Sequence, residues 1–459
     1  MKNIYFIGVG GIGMSSIARF YNHEGYNVAG YDRVESPLTL ALESEGIAVN
    51  YNENIEAIPA EFLDKNECLV IYTPAIPKNH KQLCYFQDAG FEAVKRSKAL
   101  GVLSRGKRLV AVAGTHGKSS ISTMVAWFLS KAMLLNDGSV GGSSAFLGAI
   151  SKNIGSNLLL GSGDTLTVEA DEFDRSFLQL FPDIAIISST DADHLDIYGD
   201  HNSMKSTFAE FASQIKDGGS LIYKKGIDLT LPSSKITTYS YSLDDKNSDF
   251  YAQNIQLASN YLYSFDIVTP EGIIEGCHLG ISALINVENC VAAVAVLFLV
   301  GFDRESLLGA IDSFRGVKRR FELHINRVDK VYIDDYAHHP TELRATLNSI
   351  RAIYGEKKIT AIFQPHLYTR TRDFAEGFSA SLSLADRVIL LPIYPAREEP
   401  IEGVNSQMLL EGITSQCEIV EKEELIATIK EDKNEILVSF GAGDIDRFCD
   451  EIVKTLSYE

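Results

Sequence analysis

The run Gly114-Thr115-His116-Gly117-Lys118-Ser119-Ser120 follows the apolar stretch Leu109 to Ala113 and opens a helical pattern that continues to about Met133. A strand, a glycine turn and a helix N-terminus together make a phosphate cradle. The glycines admit an anion to the backbone N–H groups, and the helix dipole favours negative charge there. In such a loop Lys118 reaches the β and γ phosphates of a nucleotide, and the Ser119 hydroxyl can ligate Mg2+. An ordinary strand-to-helix turn would need neither. The long Walker pattern puts glycine at position 112, where this chain has Val112, so the loop reads as a shortened cradle rather than that of a generic P-loop NTPase.

A second glycine turn, Gly8-Val9-Gly10-Gly11-Ile12-Gly13, follows the first apolar run, with Asp32 at the end of the next. Taken alone this pattern favours NAD, with the aspartate on a ribose. The same geometry holds any pyrophosphate on a helix N-terminus, that of a UDP-sugar included. Glu169-Ala170-Asp171-Glu172-Phe173-Asp174 and Asp191-Ala192-Asp193-His194-Leu195-Asp196 each follow a strand-like run. Either alone is an ordinary solvated acidic loop, but behind a phosphate cradle their hard oxygen ligands suit Mg2+. Arg315, Lys318, Arg319 and Arg320 cluster, as do Arg370 and Arg372 behind Phe363-Gln364-Pro365-His366. Arginine's planar fork suits a carboxylate or a transferred phosphoryl group, whereas Lys318 reads as a solvated side chain. Asp334-Asp335-Tyr336-Ala337-His338-His339-Pro340 lies at another strand end. Adjacent histidines on an extended chain point opposite ways, so at most one faces a given ligand.

Three α/β blocks must position these residues. The first runs from the strand Ile4 to Val9 through a helix, the strand Asn27 to Tyr31 and a further strand near Leu69 to Thr73, and ends in the basic helical stretch Lys95 to Lys107. The second starts at Leu109 and closes with a helix from Val287 to Val300. The third alternates strand and helix from Val331 to a strand at Glu435 to Phe440 and a terminal helix. The formal charge of −19 argues against nucleic acid as a partner. The longest apolar stretch, Val291 to Val300, is too short for a membrane span. Six scattered cysteines, with no CxxC pair, read as reduced thiols of a cytoplasmic protein.

In order along the chain, residues 8–15, 113–120, 168–178, 191–200, 316–322, 334–342, 363–374 and 441–445 resemble the motifs of the muramyl ligases, which assemble the peptide of bacterial cell-wall precursors. The resemblance implies an α/β fold of three domains. Residues 1–101 would be a Rossmann-like UDP-sugar-binding domain, 102–314 a central P-loop-type ATPase with a mainly parallel sheet, and 315–459 a C-terminal Rossmann-like domain that binds the amino acid. It implies ATP-dependent ligation of L-alanine to the lactyl carboxylate of UDP-N-acetylmuramate through an acyl phosphate, with ATP and Mg2+ required, in a monomer or homodimer. Gly10, Gly11, Ile12, Gly13, Asp32, Ser36 and Thr73 would then hold the UDP-sugar, so the first glycine turn would bind substrate rather than NAD.

By the same resemblance Gly114, Thr115, His116, Gly117, Lys118, Ser119, Ser120, Asn286, Asn289, Arg320 and Asp335 would bind ATP, and Ser119, Glu169 and His194 would surround Mg2+. Tyr336, His338, His366 and Arg370 would lie near the amino acid, with Lys118, Arg320, His338 and Arg370 serving catalysis. Three positions depart from the family pattern: Ile285 where histidine is common, Leu367 where arginine often follows Phe-Gln-Pro-His, and Phe173 where serine is usual. The other readings the chain leaves open are a recycling ligase that joins a preformed tripeptide to the same sugar nucleotide and, in a different class, an NAD-dependent oxidoreductase.

Overall fold

A computed structural model describes residues 2–135, 138, 140–231, 235–396, 398–431 and 435–457. Strands β1 (Asn3–Ile7), β2 (Asn27–Tyr31), β3 (Ala48–Asn50), β4 (Cys68–Tyr72) and β5 (Glu92–Lys95) form a parallel sheet in the order β3-β2-β1-β4-β5. Ile4, Tyr5, Phe6 and Ile7 are all buried, as an unbroken apolar run must be when both faces of a parallel sheet are covered. The strand order reverses between β1 and β4. The glycine turn after β1 therefore opens on the crevice where open sheets bind ligands.

The second sheet contains β6 (Arg108–Ala113), β7 (Ser144–Phe146), β8 (Leu158–Leu159), β9 (Thr165–Glu169), β10 (Ile184–Ile187), β11 (Ser220–Lys224) and β12 (Thr237–Tyr241), in the order β12-β11-β10-β6-β9-β7-β8. Its recorded pairs are parallel except β7 with β8. Strand β6 lies between β9 and β10, so the phosphate-type loop, Glu169 and Ser188 all emerge at neighbouring strand ends. Three further strands, β13 (Tyr251–Leu257), β14 (Tyr263–Thr269) and β15 (Gly272–His278), make a small sheet.

The last sheet runs β16-β17-β21-β18-β19-β20, from β16 (Glu322–Asn326), β17 (Val331–Asp335), β18 (Ile359–Phe363), β19 (Arg387–Leu390), β20 (Gln416–Ile419) and β21 (Ile436–Phe440). Only the edge strand β16 is antiparallel. Two apolar cores cover its two faces, one around Val331, Leu347 and Phe363, the other around Tyr332, Ile389 and Ile452. Contacts divide the chain into two compact units, residues 1–253, 266–277 and 289–315, and residues 254–265, 278–288 and 316–459. Within the first unit a single core runs from Ile4 and Phe6 to Ala111 and Ile187, so the first two sheets share their apolar packing.

Some local expectations change. Lys95 closes strand β5, and the helical part of the basic stretch is Arg96–Leu103 only. The apolar helix begins at Leu284 rather than Val287. After β18 come two short helices, Tyr368–Asp373 and Ala375–Leu382, which meet at Phe374 with φ −118°. Among the described residues no helix is long and apolar enough to cross a membrane, and all six cysteines are free thiols.

Candidate active site

Val112 is fully buried and pairs with Glu169 across the sheet, so the strand continues to Ala113 and the loop begins only at Gly114. That loop turns through two left-handed residues, Gly114 at φ 133° and Gly117 at φ 84°. A side chain at 114 would also overlap the Ser188 hydroxyl, so glycine is required there twice over. Ser189 braces the loop: its hydroxyl accepts from the His116 amide at 2.7 Å and pairs with the Thr115 hydroxyl at 2.8 Å. His116 faces Asp191 at 3.4 Å, and Asn289 Oδ1 lies 3.5 Å from where a Cβ on Gly117 would stand. Asn286 donates from Nδ2 to the Ser282 carbonyl at 2.7 Å, and Ile285 beside it is exposed.

Lys118 opens the helix Lys118–Ala132 and folds back over the loop, donating to the Gly114 carbonyl at 2.6 Å and to Glu172 Oε1 at 2.8 Å. Burial opposes its charge, but Glu172, Asp171 and Glu169 together outweigh burial and raise its pKa. Glu172 is 1% exposed, and burial pushes its carboxyl up while Lys118 pulls it back. Glu169, at the end of β9, accepts from the Ser119 hydroxyl at 3.0 Å and from the Gly148 amide at 3.0 Å. His194 lies 3.8 Å from Glu172 and 3.6 Å from Asp193. Phe173, in the place of the usual serine, packs its ring edge-on against His194 with centroids 5.3 Å apart. Glu172 Oε2 is buried, with the Lys118 ammonium 2.8 Å away. The Ser119 hydroxyl and the Glu169 carboxylate, in contact at 3.0 Å, are hard oxygen donors that suit Mg2+.

The first glycine turn gathers its expected residues. Asp32 accepts from the Gly10 amide at 2.8 Å. Ser36 caps the helix Pro37–Ser44 by accepting from the Thr39 amide, and Thr73, just past β4, leaves room for no side chain at Gly8. Gly11 precedes the helix Ile12–His23, whose start has no side-chain cap and so leaves backbone amides open. Asn157, fully buried, donates to the Ile12 carbonyl at 2.5 Å and holds that helix start in place.

In the C-terminal unit Asp335 ends β17, 5% exposed, accepting from the Thr346 hydroxyl at 2.7 Å and the Ala337 amide at 3.0 Å. Burial lifts its carboxyl from the usual 3.8 to about 6, against the pull of Thr346 and Arg320. Arg319 is structural, tied to Asp334 at 3.0 Å and to the Gly441 carbonyl at 2.6 Å, while Lys318 is exposed as expected. Arg320 pairs with Glu342 at 3.5 Å and lies 5.1 Å from the Tyr336 ring. His338 donates its amide to Glu342 at 3.0 Å and sets its ring 5.3 Å from Tyr336 and 6.2 Å from His366. His339 turns away, accepts from the Thr341 amide to cap Pro340–Tyr354, and packs on Phe374. His366 lies 3.3 Å from Arg370 and stacks on Tyr394 at 5.8 Å. Leu367 is buried with φ 71°, a left-handed turn in a side-chain-bearing residue that aims His366 and Arg370 to one side. Tyr336, His338, His366 and Arg370 thus form one cluster. The sequence reading did not single out Glu342, Glu172, Ser189 or Tyr394.

Three family models match in order: Mur ligase family, catalytic domain, over residues 3–108; Mur ligase middle domain over 112–297; and Mur ligase, glutamate ligase domain, over 319–443. A UDP-N-acetylmuramate–L-alanine ligase of Phocaeicola vulgatus is 45% identical over 460 residues, covering 100% of this chain and 98% of that protein. The solved UDP-N-acetylmuramate-alanine ligase of Thermotoga maritima is 26% identical with a TM-score of 0.82, covering 99% of each chain. A murein peptide ligase of Psychrobacter arcticus shares the fold at 20% identity and a TM-score of 0.70, covering 100% of this chain and 99% of that one. Matched from its first strand to its last, the chain belongs to the Mur ligase family.

Proposed function

We propose that this protein joins L-alanine to the lactyl carboxylate of UDP-N-acetylmuramate, with ATP converted to ADP and phosphate. The observation that carries this reading is the full-length likeness, at 45% identity, to a ligase of that name. The lactyl carboxylate attacks the γ-phosphorus and the bond to the β-phosphate oxygen breaks, giving ADP and an acyl phosphate. The alanine amine then attacks the acyl carbon, the carbon–oxygen bond to phosphate breaks, and the amine gives up a proton. No protein nucleophile is needed, so positioning and charge neutralisation supply the catalysis. Lys118, freed from Glu172, supplies its charge to the phosphates. Ser119, Glu169 and His194 would hold Mg2+, and the ion would neutralise phosphate charge. Arg320 adds its charge to the γ-phosphate and Asp335 accepts from the ribose, while Asn286 and Asn289 serve the adenine. Tyr336, His338, His366 and Arg370 orient the alanine. We place the functional divisions at 101/102 and 314/315 and the enzyme in the cytoplasm, where its nucleotide substrates are made.

Phosphate release from ATP by purified protein tests the reading. It is expected to need UDP-N-acetylmuramate, L-alanine and Mg2+ together, and to stop with EDTA. Release that ignores the sugar nucleotide overturns the ligase assignment, and release driven by a tripeptide but not by alanine selects the recycling reaction.

Glu342 ties two parts of this chemistry together, since one carboxylate meets both Arg320 and the His338 amide. Glutamine keeps the shape but removes the charge that holds Arg320. Glu342→Gln is expected to lower kcat by about tenfold and raise the KM for alanine, in line with the loss of one charge-assisted hydrogen bond. UDP affinity should not move. Unchanged steady-state kinetics in this variant would show that Arg320 and His338 are placed by other contacts.

A further inference from the structure

Arg96 opens the helix Arg96–Leu103, and its guanidinium lies against Gly13, so closely that any Cβ at that position would overlap it. The arginine head group therefore lies directly over the third glycine of the turn. Nη2 of the same side chain donates to Asp171 Oδ2 at 2.8 Å. Among the described residues Asp171 is its one hydrogen-bonding partner. Asp171 neighbours Glu172, the residue that holds Lys118. Lys95 grips the far end of the same acidic segment through Asp174 at 2.7 Å. Asp174 and Arg175 take left-handed φ angles of 54° and 53°, so the segment is a tight turn clamped at both ends.

We propose that Arg96 is a positioning residue shared between two anions, the Asp171 carboxylate and the diphosphate of the sugar nucleotide. This rests on the reading that the first glycine turn takes UDP. A diphosphate on the amides of residues 12 and 13 brings its charge to the guanidinium that Asp171 now holds. The planar fork of arginine serves two oxyanions at once, but each weakens the other's share. Occupancy of the sugar-nucleotide site thereby loosens the hold on the acidic segment and frees Glu172 and Lys118 for the nucleotide.

Calorimetric titration of the full chain with UDP tests this directly, with Arg96→Met, Arg96→Lys and Asp171→Asn beside the native protein. Arg96→Met is expected to weaken UDP by at least about tenfold, and Arg96→Lys to recover part of the loss, as for one charge-assisted contact. Asp171→Asn removes the competitor and is expected to tighten UDP several-fold while lowering kcat. Native protein that does not bind UDP would overturn the reading of the glycine turn itself. Native binding that Arg96→Met leaves unchanged overturns the role of Arg96 alone. Should Arg96→Met fail to fold, Asp171→Asn decides, because unchanged UDP affinity in that variant overturns the sharing.

Discussion

Lys118→Met is expected to lower turnover by roughly 10^2- to 10^3-fold or more, the loss that follows removal of one preorganised charge from a phosphoryl-transfer site. UDP binding should persist, since the first glycine turn lies on another sheet. The structure adds a second expectation. Lys118 is also the counter-ion of Glu172, which is 1% exposed. Taking one member from a buried pair leaves an uncompensated charge and costs about 3–5 kcal/mol. Glu172 can escape part of that cost by taking up a proton, because burial already raises its pKa.

The direction with pH follows. A carboxyl whose folded pKa lies above its unfolded value keeps its proton longer in the folded state, so stability falls as pH rises between the two values. Lys118→Met should therefore lose more stability at pH 8 than at pH 5, and Lys118→Met combined with Glu172→Gln should recover it without recovering turnover. Urea denaturation of the three proteins at both pH values, with phosphate release measured alongside, separates the two roles. Recovery of turnover in the double variant would show that Lys118 serves only to neutralise Glu172.

These expectations rest on parts of the site that were legible in the sequence to different degrees. The loop at Gly114 to Ser119 could be read because its chemistry is local: glycines where the backbone must turn left-handed, a lysine and a hydroxyl at the helix start. The strand alternation around it could be read for the same reason, since unbroken apolar runs fit only strands covered on both faces. The acidic segment could be located but not resolved. Four carboxylates in six residues look alike on paper. Only the fold shows that Asp171 turns to Arg96, Glu172 to Lys118 and Asp174, in a left-handed turn with Arg175, to Lys95. Arg96 was read as one charge in a basic stretch, because its partners lie on other elements and local pattern carries no sign of them. Glu342 was hidden differently. It stood inside a recognised motif but carried no role until the fold set Arg320 and His338 on either side of it. Of the two adjacent histidines, the expectation that they part company was physical, and which one faces the site came from the cap that His339 makes.

Asp335→Asn is expected to stabilise the protein at pH 8 by about 1–2 kcal/mol, to leave it unchanged near pH 4, and to impair ATP use. The carboxyl sits at about 6 in the folded chain because burial disfavours its charge. It stands near 3.9 in an unfolded chain, a gap of about 2 units, or about 3 kcal/mol. Between those values the folded state holds a proton that the unfolded state has released, so stability falls as pH rises through that window and stays lower above it. Asparagine carries no charge and escapes the cost. It returns part of the gain, since one of the two acceptor oxygens that serve Thr346 and Ala337 becomes a donor. A charge kept in a place that penalises it calls for a use, and accepting hydrogen bonds from ribose hydroxyls is one that a carboxylate meets better than an amide. Urea midpoints at pH 4 and pH 8, beside kcat/KM for ATP, test both halves. Equal shifts at the two pH values would mean that the native carboxyl is not held charged against its burial. Greater stability with undiminished ATP use would mean that the charge serves something other than the nucleotide.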